Sequence, residues 1–188
     1  GFLKDTKLSI FEKYSFKKLN LLFKYSKDNL LLSDIVFSLN DLNLSSKNIS
    51  SKKIKDNYFI KGSLSHEKLE IDKKNFDIFI KPFFPEIEYK KLNFSSKNEF
   101  SFKLNKKLSL NDFLLDSKLT INEFLISNRF DLKNFLPNIK DNFNFSDHEL
   151  SIKYIKNNLS INGKGNILLQ NKNDILTYYK KKKNDNLE

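Results

Sequence analysis

The sequence predicts an all-β protein, an antiparallel meander of roughly a dozen strands. Three observations carry that reading. Apolar residues recur at every second position through most of the chain. Clusters of Asn, Asp, Ser and Lys interrupt the alternation every ~10 to 14 residues, the rhythm of hairpins. And among 188 residues there is no Ala, the best helix former, whereas Phe, Ile, Tyr and Thr suit strands.

Taken in order, Leu19, Leu21, Phe23 and Tyr25 share one face, with Asn20, Lys24 and Ser26 on the other. A residue pattern of period two places such side chains on one side of a pleated strand. The pattern returns at Ile35, Phe37 and Leu39, and again at Tyr58, Ile60, Gly62 and Leu64. It is read a further time at Phe76, Ile78 and Ile80, before Pro82 and Pro85 mark a bend or an edge position. Phe100, Phe102 and Leu104 follow, with Ser101, Lys103 and Asn105 opposite; then Leu119 and Ile121, then Leu150, Ile152 and Tyr154. The segment "RFDLKNFLPNIKDN" breaks the pattern, and a short helix near 131–136 is expected there, capped by Asp131 and ended by Pro137. No linker or domain boundary is visible, so residues 1–188 read as one segment.

Composition bounds the chemistry. There is no Cys, which excludes disulfides, zinc–thiolate sites and thiol catalysis. The net charge of +11 and pI near 9.5 are those of a nucleic-acid or anionic-membrane binder. Yet Lys and Asn abound while Ala and Trp are missing and Arg129 is the only arginine, the usage of an AT-rich genome. Much of the lysine therefore reads as codon bias on solvated faces. No run approaches the ~18 apolar residues of a membrane span. The chain starts at Gly1 and contains no Met, and is expected to be an internal piece of a longer protein.

Gly163-Lys164-Gly165 has the look of a phosphate loop but lacks the Walker spacing, the following Ser or Thr, and the helix. Its flanks alternate instead: Leu159, Ile161, Gly163, Gly165, Ile167 and Leu169 fall on one face. Both glycines are expected on the apolar side of one long strand, where they mark a bend or make room for a guest. His66 and His148 lie in polar contexts and read as surface histidines. Lys180–Lys183 reads as a solvated hairpin end rather than a phosphate contact. No nucleophile elbow, carboxylate pair or metal-ligand spacing is present, so no catalytic residue, metal or cofactor is expected.

"NEFSFKLNKKLSL" (98–110), "DLKNFLPNIKDN" (131–142) and "DHELSIKYIKNNLSINGKGNILLQNKNDILTYY" (147–179) together resemble the AsmA-like proteins of diderm bacterial envelopes, especially the YhdP-type branch. The likeness is closest over 161–179. The resemblance implies an antiparallel meander curling into an elongated open groove, a β-taco. It implies a periplasmic protein attached to the inner membrane that conveys phospholipid between inner and outer membranes, without catalysis and with no nucleic acid as partner. On that reading Phe100, Phe102, Leu104, Ile152, Tyr154, Ile161, Gly163, Gly165 and Ile167 line the groove. Each CH₂ of a lipid tail buried there gains about 0.8 kcal/mol, and lysines at the wet mouth pair with headgroups. The alternatives are a basic nucleic-acid-binding β domain, or a structural sheet whose apolar face is filled by its own side chains.

Overall fold

The computed structural model describes residues 1–10, 14–82, 85–107, 109–127, 137–170 and 173–183. Ten strands form one antiparallel sheet in chain order: β1 (Phe2–Ile10), β2 (Tyr14–Ser26), β3 (Asn29–Leu39), β4 (Leu42–Ile54), β5 (Asn57–Ile71), β6 (Tyr89–Asn105), β7 (Leu110–Ser127), β8 (Asn142–Ile155), β9 (Asn158–Leu168) and β10 (Asn173–Lys183). Among the described residues the sheet does not close, and β1 and β10 are its outermost strands. One short helix, α1 (Lys73–Phe79), lies between β5 and β6. The protein is thus an open all-β meander with a short helix. The helix expected near 131–136 falls outside the described residues.

A meander places alternate connections at opposite ends. At one end sit the short connections at Lys27-Asp28, Lys55-Asp56, Lys106–Ser109 and Lys156-Asn157; this is the turn end. At the other sit the Asn40-Asp41 turn, α1 with the loop after it, and the 137–141 segment; this is the capped end. Asn40 (φ 49°) and Asp41 (φ 70°) are both left-handed, as are Lys156 (48°) and Asn157 (62°). That backbone matches the twist of a two-residue hairpin. Asn and Asp tolerate it better than most residues with a side chain.

The same left-handed conformation recurs inside strands, at Asp34 (52°), Lys68 (46°), Asp112 (53°) and Asp147 (53°) among others. Each coincides with one extra residue against its neighbour. His66 pairs with Ser96 but Leu69 with Phe94. Ser146 pairs with Asn166 but Glu149 with Lys164. These are β-bulges. They absorb the odd residue, so that Leu69 and Ile71 return to the face already used by Leu64 and His66. No glycine has positive φ.

Residues 76–80 correct the sequence reading. They do not alternate as a strand but belong to α1 and its end. The Asp72 side chain accepts from the Asn75 N–H at 2.7 Å and caps the helix. Phe76, Phe79 and Ile80 then stand three and four apart, which puts them on one helical side. Phe76 is 1% exposed and stacks on Tyr89 at 4.5 Å. The Tyr89 hydroxyl donates to the Ile71 carbonyl, and burial raises its pKa above the usual phenol value. Asn75 Nδ2 donates to the Asn40 carbonyl at 3.1 Å, tying α1 to the β3–β4 turn. Around Phe76 gather Leu42, Leu69, Ile71 and Leu92, a core that the helix closes from above the sheet. A second core, Leu21, Ile35, Phe37 and Leu44, adjoins it on β2 to β4.

Phe76→Ala should lower the unfolding free energy by about 3–5 kcal/mol by leaving a cavity under α1. Asp72→Ala should cost only about 1 kcal/mol, the loss of one cap. Urea unfolding of both variants measures the difference.

Candidate functional site

Residues paired across an antiparallel ladder point to the same side. One transverse row runs Gly62, Phe100, Leu115, Tyr154, Leu159. The next runs Leu64, Asn98, Ser117, Ile152, Ile161 and reaches Lys180 on β10. Nearer the capped end, Leu119, Leu150, Gly163 and Tyr178 form a row, as do Phe124, Phe145, Ile167 and Asp174. Phe102 opposes Ile60, and Leu104 opposes Tyr58. All nine residues singled out by sequence therefore share one face, the apolar face that α1 covers at one end.

That face has two unlike halves. Toward the turn end, Phe100, Phe102, Leu104, Ile152, Tyr154 and Ile161 are each partly exposed. Their rings form a continuous band: Phe100 to Phe102 at 6.1 Å, Phe102 to Phe113 at 6.5 Å, Phe113 to Tyr154 at 5.8 Å. Toward the capped end the chain fills its own face. A Cβ on Gly163 would stand 2.2 Å from the Tyr178 ring. One on Gly165 would stand 2.3 Å from the His148 ring and 2.6 Å from His148 Cα. The two glycines make room, but for the protein's own aromatic rings. Ile167, 8% exposed, belongs to the same packed half.

The histidines are not on the surface. His66 is 9% exposed and His148 1%. Both stand on the apolar face beside a bulge, His66 just before the one at Lys68 and His148 just after the one at Asp147, so their polar sequence neighbours belong to the bulge or to the other side. His148 Nε2 donates to the Asn166 carbonyl at 2.8 Å. His66 Nε2 lies 2.9 Å from Ser96 Oγ, which accepts from Asn98 Nδ2 at 2.7 Å; Asn98 Oδ1 in turn accepts from Ser117 Oγ at 2.5 Å. This polar chain crosses β5, β6 and β7 beneath the apolar surface. A Ser–His pair in acyl transfer needs a carboxylate on the other ring nitrogen. His66 Nδ1 is buried with no partner among the described residues, and Ser96 is 6% exposed. Burial holds the His66 pKa below its ordinary value. Leu64 and His66 alternate in sequence, and that was the one signal for where the ring lies.

The sequence also gave no hint of two shallow hollows on the opposite face. One, about 360 Å³, is lined by Lys24, Lys52 and Lys61 around Leu31 and Phe59. The other, about 650 Å³, lies among Lys118, Glu149, Lys164 and Tyr179. Among the described residues no group of three potential metal ligands occurs, and no helix is long and apolar enough to cross a membrane. Comparison with family models, curated proteins and solved structures finds no match to this chain.

Gly165→Ala should destabilise by about 1–3 kcal/mol through overpacking, since His148 Cα cannot retreat. Gly163→Ala should cost less, because Tyr178 sits on an edge strand and its ring can turn aside; urea midpoints test the order. A neutral buried His66 also implies acid sensitivity. The unfolded chain takes up the proton near pH 6.5 and the folded chain only below that. Stability is thus full above pH 6.5 and declines as pH falls from there toward the folded pKa. Thermal melts between pH 7.5 and 5 should show the decline, and His66→Asn should flatten it.

Proposed function

We propose that this chain is a non-enzymatic, groove-forming segment of an AsmA-like envelope protein, holding phospholipid acyl chains on its apolar face. In the full-length protein, anchored in the inner membrane and reaching through the periplasm, such segments pass lipid between the inner and outer membranes. One observation carries the reading: an open sheet keeps a continuous band of aromatic and aliphatic side chains partly exposed on one face, from Ile60 through Phe102 and Phe113 to Tyr154 and Ile161. Such a band costs free energy in water and is offset when hydrocarbon covers it. The acyl bed is the turn-end half, Phe100, Phe102, Leu104, Ile152, Tyr154 and Ile161. Gly163, Gly165 and Ile167 support it from the self-packed half.

A second reading, a nucleic-acid-binding sheet, draws on the lysines Lys24, Lys52 and Lys61 grouped around one hollow. It requires affinity that falls steeply as salt rises, so salt-independent or absent binding of single-stranded RNA and DNA would remove it.

Lipid extraction and mass spectrometry of protein purified without harsh detergent should find phospholipid near one per chain. Ile161→Asp should lose most of it while keeping the far-UV circular dichroism of the parent. A well-folded, lipid-free parent protein would mean that the band is covered by protein instead.

A further inference from the structure

Resting on the lipid reading, the geometry points to a headgroup site: we propose that Lys180 and Lys182 hold the phosphate of an anionic phospholipid whose tails lie on the turn-end apolar band. The run Lys180–Lys183 is the last described part of β10, at the open end of the β9–β10 hairpin, and Lys180 to Lys182 are exposed. The ladder between β9 and β10 is unbroken, and it pairs Lys180 with Ile161 and Lys182 with Leu159. Lys180 and Lys182 therefore stand on the apolar face, one strand beyond the aliphatic bed, while Lys181 stands on the other. Two residues apart on a strand, their Cα atoms are roughly 6.5 Å from one another. Two flexible ammonium groups at that spacing can meet on one phosphate.

Charge supports the assignment. Three lysines toward the turn end are paired, Lys103 with Asp112 at 2.6 Å, Lys106 with Asp56 at 2.6 Å and Lys153 with Asp116 at 3.2 Å, whereas Lys24, Lys52 and Lys61 on the opposite face have no such partner among the described residues. Among the described residues no carboxylate lies in ion-pair reach of Lys180 or Lys182, and both are exposed. Lys156 in the adjoining β8–β9 turn adds a further positive charge at the same end. The capped end mixes signs, with Asp41, Asp72, Glu88 and Asp141 beside its lysines. An apolar bed bordered by unpaired cations matches an amphiphile with an anionic head. A zwitterionic head with a bulky quaternary ammonium gains less, because its own cation meets the same lysines.

The test is a competition. Protein is incubated with vesicles of equal phosphatidylglycerol and phosphatidylcholine with matched chains, re-isolated, and its lipid quantified. The parent should retain phosphatidylglycerol in about tenfold preference, short of the roughly thirtyfold of two full lysine contacts because phosphatidylcholine carries a phosphate too. Lys180→Gln/Lys182→Gln should reduce the ratio toward one. Lys97→Gln/Lys118→Gln removes the same charge from a cross-strand pair on the opposite face, and should leave the ratio as in the parent. Equal ratios in all three proteins, or equal loss in both double variants, would overturn the headgroup site while leaving acyl-chain binding in place. Absence of lipid from the parent would instead remove the lipid reading, and the headgroup site with it.

Discussion

Burial on one side only is the constraint on which this sheet depends. Each strand must present its apolar residues to the same face as its neighbours. A slip of one residue would turn a whole strand over. With strands as long as β7, 18 residues, small irregularities accumulate, and an extra residue anywhere would invert everything beyond it. The bulges at Asp34, Lys68, Asp112 and Asp147 take up those residues. They keep Leu69 and Ile71 beneath α1, and Phe145 and Ile167 on the face of Phe124.

Glycine is the usual residue for left-handed backbone, but here that work falls to Asp, Asn and Lys. The few glycines serve a different need, the space above a strand. Phe100 lies over Gly62, Tyr178 over Gly163 and His148 over Gly165. A ring from the next strand covers backbone that would otherwise be bare. This packs a sheet tightly without a second layer, and it makes the capped half of the apolar face self-sufficient. In the turn-end half Phe100 also lies over Gly62, but the rings of Phe100, Phe102, Phe113 and Tyr154 stay partly exposed.

The difference between the halves also organises the reading of function. Where α1 and the 137–141 segment close the face, side chains reach near-complete burial, as at Phe76, Ile139 and Phe143. Where tight turns end the strands, nothing in the described chain can fold back over the surface, so the apolar band stays open and lysines border it. The proposed amphiphile site rests on that open apolar surface with Lys180 and Lys182 beside it.

Much of this was legible in the chain alone. Alternation is a local property, so the all-β class, the meander and the common face of Ile161, Gly163, Gly165 and Ile167 within β9 follow from reading residues two at a time. The helix at 73–79 was missed because Phe76, Ile78 and Ile80 satisfy period two while Phe76, Phe79 and Ile80 satisfy the helical period; the Asp72 cap and the core beneath decided between them. Three further facts belong to the tertiary structure. They are the burial of His66 and His148, the rings that fill the space over Gly163 and Gly165, and the placing of Lys180 and Lys182 beside Ile161 and Leu159. Each depends on register between strands, and register is set by bulges and by pairing across the sheet, which no local pattern encodes.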